Sequence, residues 1–486
     1  MGLEDFIKFY KKNLNLCDND FNNLLETLQK PLMSAFRITN TVVKEFILKK
    51  LSNLNESKVF PNVYEVNKRK MPFRNFIVTQ TSVGNIQRQE VVSMLPVFLM
   101  NLKKCHSVLD MCAAPGSKTK QLLEIVGDDG LVVANEVKSK RLEILVSECC
   151  KLPSKSLLVI KHDASKMPIF KNDFDRVLCD VPCSGDATAR KNLEVLPKWN
   201  LQNALSLIEL QFKILKHSLN FVKDDGLIIY STCSLNIMEN ECIIQKAVLE
   251  ENLEIVDLRE NINEEYISKD FKIRNGITNW HFDLKKYNNI NLEPIDKDIG
   301  LSKCLRVYPH DQNTGGFFIV GLKKISKKTK QLKSFKPRFN IYEIDEELKK
   351  ILQKNYKLEN NIYIQRWKNA KSIYEVNDEI LKILKTSPLN VAYFGKKVFV
   401  KSTDIELNWI RKVSFNKESL LHDIELDEEK SNNFINKKEI LFRFKKGPII
   451  VLCNNLKIKI GALSDGEKIV ALLDDKLQKA LKQLLF

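Results

Sequence analysis

Between residues 79 and 324 the chain alternates short apolar runs with amphipathic stretches, and no other feature constrains its fold as tightly. Short buried strands separated by helices are the pattern of βαβ units, whose helices cover both faces of a mostly parallel sheet. The pattern predicts strands over 107–110, 131–135, 157–161, 176–179, 227–230, 303–307 and 317–322, and helices over 117–126, 138–150, 199–222 and 239–250. The flanks read differently. Residues 6–76 are mainly helical, with one segment, Phe36-Arg37-Ile38-Thr39-Asn40, that fits a strand or a turn. Segment 260–301, rich in Asn, Asp and Lys, reads as a long loop with short elements. From about residue 339, short strands such as 398–401 and 449–453 alternate with short helices, as in a small α+β domain. No longer repeat is present.

A chain of 486 residues is long enough for two or three cores. The changes of pattern divide it at 1–78, 79–324 and 325–486. Its net charge of +17 sits on a composition that is 44% hydrophobic, so the protein is basic and globular rather than a disordered tail. A polyanion is the natural partner. Nucleic acid is favoured over a membrane surface, because no compact amphipathic basic anchor stands out. The run Lys323-Lys324-Ile325-Ser326-Lys327-Lys328-Thr329-Lys330, continuing to Arg338 without an acidic residue, reads equally as a solvated linker and as a phosphate-binding or nuclear-targeting segment. With no apolar stretch of about 18 residues and no signal-peptide layout, the chain is expected to be soluble and made in a reducing compartment. Its eleven cysteines are then free thiols. No metal is expected, since the Cys179/Cys183 pair lacks a second pair or a ligand histidine and Cys149 and Cys150 are adjacent.

Three groups of residues carry the chemistry. The stretch from Val108 to Thr119 runs from a strand through the small-residue turn Cys112-Ala113-Ala114-Pro115-Gly116 into a helix, so helix-start amides can meet a polar ligand. It lacks the spacings of a dinucleotide or P-loop fingerprint. Taken alone it is a turn that any α/β protein uses. Next, Glu136, Asp163 and Asp180 fall at or just past predicted strand ends. The first is placed for ribose hydroxyls, the second for the base of the same ligand and the third for its reactive end. Each acid alone is a common cap or turn former. Finally, Cys183 in Asp180-Val181-Pro182-Cys183 and Cys233 in Ser231-Thr232-Cys233-Ser234 each follow a strand. Buried thiols usually act as small hydrophobes. The Pro, Ser, Gly and Asp around these two are poor core material and favour reactive thiols, with pKa values expected to be lowered by a helix start and by Lys118, Arg190 or Lys191. Cys112 and Cys179 read as packing residues at strand ends.

Together these motifs resemble the Nol/Nop/Sun-domain family of S-adenosylmethionine-dependent RNA cytosine-5 methyltransferases. The resemblance rests on Asp110-Met111-Cys112-Ala113-Ala114-Pro115-Gly116-Ser117-Lys118, Asp180-Val181-Pro182-Cys183-Ser184-Gly185, and Tyr230-Ser231-Thr232-Cys233-Ser234 followed by Glu239-Asn240-Glu241. Phe36-Arg37-Ile38-Thr39-Asn40, 84–90 and Arg306-Val307-Tyr308-Pro309-His310 look like the same family, and 184–192 looks closest to its eukaryotic multisite tRNA branch. Ala187 departs from the glycine that branch prefers, and its methyl group is expected to narrow the loop's backbone choices.

The resemblance implies a Rossmann-like methyltransferase sheet between an N-terminal RNA-binding region and a C-terminal RNA-binding domain. It implies S-adenosylmethionine on Cys112, Ala113, Ala114, Pro115, Gly116, Ser117 and Lys118, with Glu136 on the ribose, Asp163 by the adenine and Asp180 near the methionine end. It makes Cys233 the nucleophile and Cys183 the cysteine that assists release, with Asp180 acting on the base. The implied partner is tRNA, met by a monomer in the nucleus or nucleolus, with Arg88, Lys118, Arg190, Lys191 and the Lys-rich run as candidate phosphate contacts. Ribosomal RNA is the alternative substrate, and a non-catalytic RNA-binding or ribosome-assembly protein the alternative class.

Overall fold

The computed structural model describes residues 2–281 apart from 52–53, 58–59, 67–73, 153 and 171–172, then 293–325, and beyond these 341–344, 346, 350, 362–365, 372–400, 423–443, 447–453, 458–464, 467–471 and 481. Its centre is a ten-stranded sheet. In chain order the strands are β1 (Ser107–Asp110), β2 (Leu131–Asn135), β3 (Leu157–Ile160), β4 (Phe174–Asp180), β5 (Val222–Thr232), β6 (Leu253–Val256), β7 (Arg274–Asn275), β8 (Leu305–Val307), β9 (Phe317–Lys324) and β10 (Val391–Phe394). Their spatial order is β7-β8-β9-β5-β4-β1-β2-β3-β10, with β6 also paired to β9. Strands β1 to β5 run parallel, and β9 is antiparallel between β5 and β8.

Strand and helix identities follow from local sequence. In β1 and β2, Val108, Val132 and Ala134 enter one core while Leu109, Leu131 and Val133 enter the other, the period of two that buries both faces of a sheet. Helices Ser117–Val126, Ser139–Cys149, Leu201–Ser218 and Glu241–Glu251 occupy the intervals between strands. Asn200 caps the third of these by accepting the Asn203 amide. The chain leaves β1 toward β2 and β3 on one side and continues to β4 and β5 on the other. A ligand crevice forms at such a reversal, outside the carboxyl ends of the strands.

The flanks add what the pattern did not disclose. Helices Gly2–Asn13 and Asp18–Leu28 send Phe6, Tyr10, Phe21 and Leu24 into the core beneath the central sheet, where Phe6 meets Trp199 edge-on at 5.7 Å. A four-stranded antiparallel sheet follows, ordered Asn55–Glu56, Val63–Val66, Ser34–Ile38 and Ile86–Arg88. Phe36, Arg37 and Ile38 lie within one of its strands, and another lies past residue 78, so this unit reaches into the stretch read as catalytic. In 260–301, of which 282–292 is outside the described residues, the described part carries short elements such as β7, and Trp280 is buried. Most of the Lys-rich run, 326–338, is likewise outside the described residues.

Beyond it lie two small sheets, one containing Ser372–Val376 and Lys396–Val400 and the other containing Gly447–Cys453. The C-terminal part also lends β10 to the free edge of β3, Val391 opposite Ile160 and Phe394 opposite Leu158. An exposed edge is an open row of backbone donors and acceptors, and a strand from elsewhere in the chain closes it.

Candidate active site

Register brings the two cysteine loops together. In the parallel pairing of β4 with β5, Asp180 lies opposite Ser231. Cys183 is three residues past Asp180 and Cys233 two past Ser231, so both thiols emerge at the same carboxyl edge, with Sγ atoms 3.3 Å apart. Strand β9 holds the other side of β5, Phe318 opposite Thr232. The Ser231 hydroxyl donates to Asp180 Oδ1 at 2.8 Å, and Lys118 Nζ, from the first turn of the helix after β1, donates to Asp180 Oδ2 at 2.7 Å. Burial disfavours the lysine's charge, but the Asp180 carboxylate outweighs it and raises the Lys118 pKa, so the lysine keeps its proton.

Asp180, Cys183, Cys233 and Lys118 line a cavity of about 1270 Å³ together with Cys112, Ala114, Pro115, Ser117, Glu136 and Asp163. Thus the expected site residues converge on one space. Ala113 and Gly116 build the turn itself: the Ala113 amide donates to Asn135 O at 2.9 Å and the Gly116 amide to Ala113 O at 2.8 Å. Gly116 takes φ +106°, and a Cβ there would come within 3.1 Å of Leu145 Cδ1, so glycine is required.

No side chain caps the helix that Gly116 starts, which leaves first-turn amides for a ligand's carboxylate or other polar end. Glu136 is buried and accepts the Lys138 amide at 2.8 Å, with Arg141 Nη1 at 3.4 Å. At Asp163 burial pushes the carboxyl pKa up, but the Ser165 hydroxyl and amide, both on Oδ1, hold it below its ordinary value. This donor set, with amides for a carboxylate, an acid past β2 and an acid past β3, fits an amino-acid nucleoside such as S-adenosylmethionine.

Three expectations change. The Cys183 thiol is not acidified: its hydrogen bond to Cys233, then burial, raise its pKa well above the ordinary thiol value. Two of the three cations invoked are committed elsewhere, Arg190 to Thr314 O (2.7 Å), Lys30 O (3.0 Å) and Asn313 Oδ1 (2.6 Å), and Lys191 to Glu90. Ala187 does not constrain the loop, because its backbone is not left-handed and Gly316 leaves room opposite, where a Cβ would approach the Ala187 methyl to 2.9 Å.

Several residues escaped sequence reasoning. Pro31, Ser34 and Ala35 of the N-terminal part form a wall of the cavity together with Arg88, which the sequence offered only as a phosphate contact. Asp110, at the end of β1, is buried, accepts from Thr119 at 2.8 Å on one oxygen and has no partner on the other; burial raises its pKa to about 7. The Glu239-Asn240-Glu241 triplet is buried. Asn240 accepts the Thr232 hydroxyl at 2.7 Å and donates to Ser234 O at 2.9 Å. Glu241 takes two hydrogen bonds from Arg306, at 2.6 and 2.5 Å, while Arg306 Nη1 donates to Leu235 O at 2.9 Å. The signal available was polarity where a helix start should already be buried.

Among the described residues, Asp20, His310 and Asp311 bring ligating atoms close enough to hold a metal ion. The Arg274 guanidinium occupies that cluster, with Nε 2.7 Å from Asp311 Oδ2 and Nη2 3.0 Å from Asp20 Oδ1. No helix among the described residues is long and apolar enough to cross a membrane.

A parallel sheet with a ligand crevice at its reversal and two thiols at the crevice edge defines the architecture of a Rossmann-like methyltransferase. Residues 97–323 match the 16S rRNA methyltransferase RsmB/F family. The chain is similar to a multisite-specific tRNA:(cytosine-C(5))-methyltransferase of Saccharomyces cerevisiae, 35% identical over 67% of this chain and 56% of that protein. It is also similar to a tRNA (cytosine(34)-C(5))-methyltransferase of Drosophila melanogaster, 38% identical over 51% of this chain and 38% of that protein. The chain thus spans little more than half the length of the first of these curated relatives and less of the second. The crystal structure of NSun6 from Pyrococcus horikoshii with SFG superposes with a TM-score of 0.50 at 16% identity, covering 67% of this chain and 98% of that one, and shares the fold.

Proposed function

We propose that this protein is an S-adenosylmethionine-dependent tRNA cytosine-5 methyltransferase in which Cys233 attacks the base and Cys183 assists release. The observation that carries the reading is the pair of thiols 3.3 Å apart beside the Lys118–Asp180 ion pair. A binding module has no physical need for two thiols there. When bound, S-adenosylmethionine would supply an electrophilic methyl group, held by Cys112, Ala113, Ala114, Pro115, Gly116, Ser117 and Lys118, with Glu136 on the ribose and Asp163 by the adenine.

Carbon 5 of cytosine is a weak nucleophile, and addition of the Cys233 thiolate to carbon 6 moves the ring's double-bond electrons onto carbon 5. Asp180, fixed by Ser231 and Lys118, faces the base and, by sharing a proton with ring nitrogen 3, offsets the charge that addition puts there. Once carbon 5 carries a methyl group, its hydrogen must leave as a proton. The C–H electrons then restore the ring double bond and expel Cys233 as a thiolate. At rest Cys183 keeps its proton, because the hydrogen bond to Cys233 is the largest contribution to its raised pKa. When Cys233 becomes a thioether that hydrogen bond is lost, and Cys183, once its own proton has passed to water, would take the carbon 5 proton directly or through water.

The net charge of +17 and the names of the relatives support tRNA, whose loops and junctions release a base from its stack most cheaply. The matching family is named for ribosomal RNA, which keeps that substrate as the second reading. Nuclear residence belongs to the same proposal and is supported by the Lys-rich run. Bisulfite sequencing of total tRNA and ribosomal RNA, after incubation with the protein and S-adenosylmethionine and with Cys233→Ala as control, tests the assignment. New protected cytosines confined to tRNA are the expected result. Protection in ribosomal RNA alone moves the substrate, and protection in neither, or retained by Cys233→Ala, overturns the mechanism.

A further inference from the structure

The residue after each reactive cysteine is a serine, and both serines donate to one buried carboxylate. Glu239 Oε2 accepts the Ser184 hydroxyl at 2.5 Å and the Ser234 hydroxyl at 2.7 Å, while Oε1 accepts the Ser184 amide at 2.8 Å and Gln211 Nε2 at 2.9 Å. Four donors fill the acceptor capacity of the carboxylate, and none of them carries a charge, while burial and the neighbouring Asp186 raise its pKa. Glu239 is fully buried, and the hydroxyl of Tyr230, in the same strand as Ser231, donates to its backbone carbonyl at 2.6 Å. Gln211 also donates to Pro182 O at 2.9 Å, just before Cys183.

We infer that Glu239 is a positioning residue that sets the distance between Cys183 and Cys233 by clamping Ser184 and Ser234, and that this clamp governs release of the methylated RNA more than the initial addition. The inference rests on the roles proposed above for the two cysteines. Cys233 continues directly from β5 and stays aimed by the strand, whereas Cys183 sits in a loop three residues beyond β4 and depends on Ser184 for its placement. Loosening the clamp therefore displaces the releasing thiol first. A displacement of about 1 Å in a reacting group slows its step by up to roughly 100-fold.

The experiment uses the full chain, S-adenosylmethionine and a labelled tRNA transcript. It follows covalent protein–RNA species on denaturing gels and methylated product by single-turnover kinetics. In Glu239→Gln an amide N–H faces serine donors, so the clamp opens. The expected result is a covalent species that accumulates, with release slowed on the order of 10- to 100-fold and addition slowed far less. Ser184→Ala removes one donor without burying a new polar group; it gives the same shift at smaller amplitude and decides the matter if Glu239→Gln does not fold. Release at the wild-type rate in Ser184→Ala and in folded Glu239→Gln, or equal loss of addition and release, overturns the clamp. A wild-type protein that methylates no cytosine overturns the functional reading, and the clamp with it.

Discussion

The two halves of the cavity are built on opposite principles. On the side of β1 to β3, the acids Glu136 and Asp163 meet partners two residues away or on the adjoining helix, and the helix start is left without a cap. On the side of β4 and β5, Asp180 is held by Lys118, 62 residues away, and the loops of Cys183 and Cys233 by Glu239, which is 55 residues from Ser184; two residues on, Glu241 forms a fully buried pair with Arg306. A half that waits for a ligand can use short-range turns that leave amides open. On the proposed mechanism the second half forms and breaks a covalent bond, and it needs its groups fixed beforehand, because preorganised groups do not reorganise as charge develops. Burying Glu241 and Arg306 together is a weak source of stability, but it makes the arrangement intolerant of losing either partner.

Changes on the two sides therefore differ in kind. Asp180→Asn keeps the shape and removes the charge that holds Lys118. A rate loss of roughly 100-fold at saturating cofactor is expected, read as a fall in kcat with little change in KM for S-adenosylmethionine. An effect on KM alone would place Asp180 with the ligand-holding half. Glu136→Gln acts on that half and weakens cofactor binding by roughly tenfold, the worth of one charge-assisted hydrogen bond, with kcat preserved. Calorimetric titration with S-adenosylmethionine measures it directly, and a kcat defect would erase the distinction.

The smallest expected effect is on stability. Burial raises the Asp110 carboxyl from 3.8 to about 7, so the folded chain binds this proton more tightly than the unfolded chain does. Its contribution is fully present below pH 4 and is lost as the pH rises toward 7. Asp110→Asn, which can still accept from Thr119, removes that loss. Its melting temperature relative to the parent should rise between pH 5 and 8, and an unchanged difference across that range would show that Asp110 is not the titrating group.

What the sequence disclosed follows the same division. Strands 107–110 and 131–135 and helix 117–126 were legible to the residue, because apolar runs of that length between amphipathic stretches have one economical reading. The site residues were legible because strand ends are where turn formers and chemistry coincide. Glu239 and Arg306 were visible as motif letters, yet their roles depend on partners that only the folded sheet supplies. The Cys183 pKa was misread for that reason: cations nearby in sequence point elsewhere in space, and the decisive neighbour is the other thiol. The N-terminal sheet escaped notice because its strands are short, with no long apolar run. Strand β10 escaped because its partner lies more than 200 residues earlier.

The most direct test of the division of labour between the thiols is the covalent protein–RNA species in Cys183→Ala. With S-adenosylmethionine and tRNA, that variant should accumulate a denaturant-resistant band containing methylated RNA, and the band should vanish in the Cys183→Ala/Cys233→Ala double variant. A band that survives loss of Cys233, or its absence from Cys183→Ala while the wild type turns over, would contradict the assignment of attack to Cys233 and release to Cys183.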